Sequence, residues 1–224
     1  MFIGHFAPAF VAAALTPRSP KLGTLFVAAQ LVDWGFFTLT LIGVEKLRVD
    51  PAASVMVPLD LYHMPYTHSL VGAGLWALAC LLVVAAEQRD LLAGLIAGLV
   101  VLSHWPLDWL VHVPDLTLNG EPPKMGLGLW NHPAIAMPLE LVVTGGAFAF
   151  YVRRTRGPVG PPLVLLAVML LFQAVNWFAP HPESAGPLLY LQALLAFAVL
   201  TALAIWVGEN RWFQKRGGLA FGDP

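Results

Sequence analysis

Charge is scarce in this chain: Asp, Glu, Lys and Arg make up only 11% of 224 residues, and the net charge is −1. There is no basic arm or stripe, so nucleic acid is excluded as an expected partner. Cysteine is nearly absent: the single Cys80, lying in an apolar run, rules out an intrachain disulfide and reads as a small core residue. The N-terminus "MFIGHFAPAFVAAALTP" lacks the basic region of a signal peptide and carries His5 and Pro8 inside its apolar stretch, so it is expected to be retained in the fold. Internal repeats and low-complexity tracts are missing as well, which speaks against an inverted-repeat transporter.

What is there is apolar: 58% of the residues are hydrophobic, well beyond a soluble globular composition. Runs punctuated by Pro, Gly and charge predict about seven helices, at 4–16 (short), 22–44, 67–86, 91–113, 132–152, 162–178 and 188–208. The expected architecture is therefore all-α, a polytopic transmembrane bundle forming one integral membrane domain over residues 1–224, with the lipid bilayer as its surroundings. Lys and Arg distribute unequally over the connections. Nine (Arg18, Lys21, Arg89, Arg153, Arg154, Arg156, Arg211, Lys215 and Arg216) fall on one side and three (Lys46, Arg48 and Lys124) on the other. The positive-inside rule then places the C-terminus in the cytoplasm and the N-terminus outside, in a plasma (inner) membrane. On that orientation all seven histidines fall in, or open toward, the outer half, His181 in an outer loop among them.

The fourth segment carries "SHWPLDWLVH", residues 103–112, in which His104, Asp108 and His112 recur every four residues on one helical face. Ionisable groups are expensive in hydrocarbon and each needs a partner. Imidazole and carboxylate are ligands of zinc and similar divalent ions, and i, i+4 spacing lets adjacent turns share one. Pro106 removes the helical donor of the Leu102 carbonyl and is expected to bend the helix there. In "YHMPYTHSLVG", residues 62–72, Thr67 is the expected N-cap of the third segment, with His68 in its first turn and His63 just before it. Asp33 is the one charged residue of the second segment and lies about 16 Å from its outer end, a depth similar to that of His104 and Asp108. Glu140 follows His132 by eight residues on one face, with Asn131 the expected cap. Taken singly each residue has a structural reading: a bundle histidine on a carbonyl, a buried Asp–His pair, a helix-capping Glu. Taken jointly, ligand-type residues at compatible depth on four segments point to a divalent-metal site.

These motifs resemble a family of bacterial inner-membrane proteins described as membrane-bound metal-dependent hydrolases, itself distantly grouped with zinc-dependent phospholipases C and single-strand-specific zinc nucleases. The family pattern is an N-terminal His, an Asp after the first helices, an H-x-x-x-T-H-S-like element and an S-H-x-x-x-D element. Here these fall on His5, Asp33, His63 with Thr67-His68-Ser69, and Ser103-His104 with Asp108. The resemblance covers roughly residues 1–140. It departs where "HMP" replaces H-R-G and where the closing His-x-x-x-Glu is missing, His132 and Glu140 standing eight apart. The stretch "VHVPDLTLNGEPPKMGLGLWN", residues 111–131, looks like a feature of a subgroup of that family.

The resemblance implies metal-dependent hydrolysis, with zinc the expected metal; the outward orientation and the roughly 12 Å depth of the site point to the outer leaflet and to a lipid-linked ester or phosphodiester as substrate. Asp33, His68, His104 and Asp108 are the expected primary ligands. His5, His63, His112 and Glu140 are expected to complete a second ion or to orient the primary ligands, with Glu140 or Asp115 as general base. The alternative from another class is a non-catalytic metal-binding or proton-relay membrane protein, and a third is a polar cluster that only fixes helix packing.

Overall fold

A computed structural model describes residues 1–180 and 183–213. The expected apolar segments are helical, but two of them are interrupted. A 3₁₀ turn, Ile3–Phe6, leads into α1 (Ala7–Ala13). The second segment splits into α2 (Leu22–Ala29) and α3 (Leu31–Leu41), bent by 52° at Gln30. The third is α4 (Leu70–Gln88). The fourth divides into α5 (Leu91–Leu102) and α6 (His104–Val111), meeting at Ser103, three residues before Pro106. Then come α7 (Pro133–Arg154), α8 (Gly160–Phe178) and α9 (Pro187–Asn210).

Five helical stretches are long and apolar enough to cross a membrane, six if the bent α2–α3 pair counts as one. This is the architecture of an integral membrane protein. The helices α4, α8 and α9 leave Leu75, Leu78, Leu82, Leu171, Val175, Leu191 and Leu195 exposed, a surface suited to lipid and not to water. The first segment differs from the rest. Ile3–Ala13 is too short to span about 30 Å of hydrocarbon. It is instead swallowed by the bundle, with Ile3, Phe6, Ala9 and Phe10 at 0% exposure. Phe6 stacks on Phe26 of α2, while Phe10 meets Phe148 and Tyr151 of α7.

Small residues let α4 and α5 approach closely. A side chain at Gly94 would collide with the Leu81 carbonyl and Ala85, and one at Gly98 would press on the Ala77 carbonyl. Asp90 caps α5 through the N–H groups of Leu92 and Ala93 and takes a forked hydrogen bond from Arg18. Together with Lys21–Glu209, this joins the 14–21 connection, the α4–α5 turn and the end of α9 at one end of the bundle. Arg211, expected as a free topology charge, is buried there and donates to the carbonyls of Val152, Thr155, Gly157 and Pro158, closing the C-terminal turn of α7. A short antiparallel pair, β3 (Thr155–Arg156) with β4 (Trp212–Phe213), lies beside it.

At the other end, the expected loop 45–66 contains an antiparallel hairpin of β1 (Lys46–Val49) and β2 (Leu59–His63). Backbone hydrogen bonds from Leu70 and Val71 to Thr117 and Leu118, and from Met56 to Trp130, tie the hairpin end and the start of α4 to the 112–131 segment. The helix starts are corrected by two residues and by one. Ser69, not Thr67, is the N-cap of α4, accepting from Gly72, so His68 precedes the helix. Asn131 does not cap α7: His132 holds the N-cap position, and the Asn131 side chain accepts from Val55 instead.

Candidate metal centre

Both interrupted segments break beside the same polar cluster. The break after α2 places Asp33 in the first turn of α3, and the break at Ser103 makes His104 the first residue of α6. Asp108 follows one turn on, and His112 is the C-cap of α6. His68 comes in from the turn before α4, and His5 from the buried 3₁₀ turn. His5, His68, His104, Asp108 and His112 are each at most 3% exposed, while the Asp33 side chain keeps 18%.

The Asp108 carboxylate is the centre of this group. Its Oδ2 lies 3.0 Å from Nε2 of His104 and 3.6 Å from Nε2 of His68. Its Oδ1 lies 2.9 Å from Nε2 of His5, 3.3 Å from Nε2 of His112 and 3.2 Å from the Met1 amino nitrogen. Asp33 Oδ1 is 3.3 Å from Nε2 of His68 and 3.6 Å from Nε2 of His104. Two sets therefore present ligand atoms within a sphere that one ion can fill: His5, His104 and Asp108, and Asp33, His68 and His104. The His5 and His104 rings stack at 3.8 Å with a 6° interplanar angle.

Three of the imidazoles have the other nitrogen, Nδ1, already engaged. His104 Nδ1 lies 3.0 Å from the carbonyl of Ala29. Ala29 is the last residue of α2, so its carbonyl has no intrahelical donor and is open to the histidine. His112 Nδ1 lies 3.0 Å from Asp115 Oδ1. His68 Nδ1 lies 2.8 Å from Thr67 Oγ1, whose hydroxyl donates to Glu45 Oε2 at 2.6 Å. A carbonyl and a carboxylate only accept, so Nδ1 carries the proton in His104 and His112. The Nε2 atoms then face carboxylate oxygens, an arrangement that repels unless a proton or a metal ion lies between.

Residues with these donors fit a divalent ion. Nitrogen and carboxylate oxygen suit zinc and its neighbours, and two carboxylates balance a charge of +2. His104 Nε2 and Asp108 Oδ2 are buried without a hydrogen-bond partner despite their 3.0 Å separation, as is His5 Nδ1. Buried polar atoms left so are uncommon and call for a reason. A histidine whose second nitrogen is fixed by a carbonyl or carboxylate is the usual environment of a metal-ligating imidazole.

Other expected site residues are placed differently. His63 ends β2 opposite Lys46 and is exposed, as is its neighbour Tyr62; it does not join the cluster. Asp115 faces His112 through one oxygen and has no hydrogen-bond partner at the other. Glu140 is buried in α7, but its Oε1 accepts the N–H groups of Phe2 (2.6 Å) and Gly4 (3.0 Å) and its Oε2 lies 3.4 Å from Gln173 Nε2. Gln173 Oε1 accepts the N–H between them, that of Ile3. Glu140 thus clamps the turn that carries His5. His132 is exposed, and His181 lies outside the described residues.

Sequence reading missed Glu45 and Gln173. Glu45 is fully buried and also accepts the N–H groups of Tyr66 and Thr67. The signal for Gln173 was available: a lone amide in the apolar run of α8 needs a partner. The 114–131 segment folds back over His112. Gly128 donates to the His112 carbonyl, Trp130 lies on its ring at 4.0 Å, and a side chain at Gly126 would collide with the carbonyls of His112 and Val113. A cavity of about 120 Å³ beside the cluster is lined by Phe2, Trp130, Glu140, Asn176 and Trp177, among others.

No family model matches this chain, and neither a curated protein nor a solved structure does.

Proposed function

We propose that this protein is a membrane-embedded, metal-dependent hydrolase, with zinc as the expected metal. The observation that carries the reading is the convergence of imidazole Nε2 atoms on Asp33 and Asp108, with the opposite nitrogens of His104 and His112 held by Ala29 and Asp115. Asp33, His68, His104 and Asp108 would hold one ion. His5 and His112, on the other oxygen of Asp108, would hold a second or secure the first. A divalent ion supplies Lewis acidity and makes water nucleophilic near neutral pH, so neither a serine nor a cysteine nucleophile is needed.

The chain's own residues supply the rest. Glu140 and Gln173 fix His5, Glu45 and Asp115 support His68 and His112, and the segment 114–131 shields His112 from bulk solvent. The cavity beside Glu140 and Trp130 has room for a few water molecules, the second reactant of a hydrolysis. A site built into span-forming helices suits a substrate that itself resides in the bilayer. A lipid-linked ester or phosphodiester is the class we assign, reached from the hairpin end. The excess of Lys and Arg at the opposite end makes the hairpin end extracytoplasmic. Proton relay has less support, because the core on which His5 and His104 border, with Phe6, Phe10, Phe26, Ala97 and Val101, is apolar.

The test is elemental analysis of purified protein, followed by hydrolysis of glycerophospholipids and polyprenyl phosphates with zinc and with chelator. Stoichiometric zinc in wild type, its loss in Asp108→Ala, and cleavage abolished by chelation are expected. Cleavage indifferent to chelation, or wild type without metal, refutes the reading.

A further inference from the structure

We propose that Glu45 acts through Thr67 as the positioning residue of His68, fixing which imidazole nitrogen faces the ion. The proposal rests on the metal-site reading and adds a residue to it. Glu45 is 0% exposed and lies 22 positions before Thr67, in the turn that follows α3. Its Oε1 accepts two backbone N–H groups, from Tyr66 at 2.8 Å and Thr67 at 3.0 Å, and its Oε2 accepts the Thr67 hydroxyl at 2.6 Å. Both oxygens are thus spent on the segment that delivers His68.

Proton counting sets the direction. A threonine hydroxyl has one proton, and here a carboxylate takes it. Thr67 Oγ1 can then only accept at its 2.8 Å contact with His68 Nδ1, so Nδ1 must carry hydrogen. Nε2 is left bare toward Asp33 and Asp108, the state a metal ligand needs. Apart from the two carboxylates at Nε2, the contacts of His68 do not bear on its tautomer: Phe36 meets the ring edge-on at 5.1 Å, and Trp105 Nε1 donates to the His68 backbone carbonyl.

The isosteric change Glu45→Gln reverses this order. If the amide oxygen keeps the two backbone donors, its NH₂ faces Thr67 Oγ1 and donates. The Thr67 hydroxyl is then free to donate to Nδ1, which moves the proton to Nε2 and blocks the ligand position. Thr67→Val removes the connection, and Thr67→Ser preserves it.

The experiment combines two readouts on full-length protein in detergent. Nitrogen NMR of ¹⁵N-histidine-labelled, metal-free protein reports the tautomer, His68 being the ring whose signals vanish in His68→Gln. Competition with a chelating dye gives zinc affinity. Wild type and Thr67→Ser should show the Nδ1–H form. Glu45→Gln should shift His68 toward Nε2–H, and Glu45→Gln and Thr67→Val should each weaken zinc binding about 10- to 100-fold. Zinc-binding wild type with an unchanged tautomer and affinity in Glu45→Gln and Thr67→Val overturns the relay alone. Wild type that binds no zinc overturns the metal-site reading, and with it the purpose of the relay.

Discussion

Replacing Glu140 by leucine should unfasten the N-terminal turn without unfolding the bundle. Glu140 Oε1 is the acceptor for the N–H groups of Phe2 and Gly4, both in a region of low exposure. Leucine fills a similar volume but accepts nothing, leaving two donors unmatched, the buried one of Gly4 and the part-buried one of Phe2. At about 1–3 kcal/mol for the buried Gly4 donor and less for the part-buried Phe2 donor, the turn loses roughly 1–5 kcal/mol. That is enough to populate its opening, since local segments exchange at free energies well below the global value. The helices α4, α5 and α9 share no hydrogen bond with Glu140 and should keep theirs. Hydrogen exchange read by mass spectrometry is the assay, with the peptide covering residues 2–6 expected to lose protection and peptides from α4 and α5 to keep it. His5 should leave Asp108, so zinc binding should weaken. Glu140→Gln keeps one acceptor oxygen and should behave nearly as wild type in both exchange and metal content. The general-base role expected from sequence makes the opposite forecast: Glu140→Gln would slow turnover about 10²- to 10⁴-fold with exchange unaltered. Unchanged protection of residues 2–6 in Glu140→Leu would refute the clamp.

Three further outcomes are expected. Zinc at 100 times its Kd should stabilise wild type by about 2.7 kcal/mol, read as a rise in Tm, and give no rise in Asp108→Ala. The forked hydrogen bond from Arg18, with the Leu92 and Ala93 N–H groups, lowers the Asp90 pKa to about 2. A carboxylate so lowered stabilises the fold above its unfolded value near 4 and loses that contribution as pH falls toward 2, so the Tm difference between wild type and Asp90→Ala should shrink over that window. Cysteine at position 55, on the exposed tip of the hairpin end, should react with an impermeant reagent in intact cells when introduced into Cys80→Ala. Reaction only after lysis would invert the proposed orientation.

How much of this was legible depends on whether a residue acts within one element or across several. His104, Asp108 and His112 were readable because helical geometry alone puts i, i+4 residues on one face. Asp33 and His5 were readable from chemistry, as ionisable groups inside apolar runs. Glu45 was not. It stands beside Lys46 at the end of an apolar run and looks like a surface charge, and its role exists only once the turn before α4 is laid against the end of α3. His63 failed in the opposite way: five residues from His68 in sequence, it was expected beside it, but it ends the β1–β2 hairpin at an exposed position, and the turn that follows carries only His68 into the bundle. The hairpin itself was hidden by Pro51 and Pro58, which flank its strands and read as loop.

The α2–α3 break and the ligand cluster explain each other. An interrupted helix in hydrocarbon exposes carbonyls with no donor, and such groups are tolerated only where protein supplies one. The end of α2 at Ala29 creates one such carbonyl, and His104 answers it. His104 is itself available at that depth because α6 starts afresh after Ser103, near the proline that denies Leu102 its helical donor. Straightening the α2–α3 segment would remove a carbonyl's need and a ligand's anchor together. The continuous apolar run at 22–44 conceals this bend, because hydropathy is insensitive to where a helix stops. The bend belongs to the site, whereas α5 and α6 together form one span, Leu91–Val111, despite Pro106. A purely structural polar cluster would be expected to end with its donors and acceptors matched, whereas here two of the unmatched atoms, His104 Nε2 and Asp108 Oδ2, face each other at 3.0 Å at its centre.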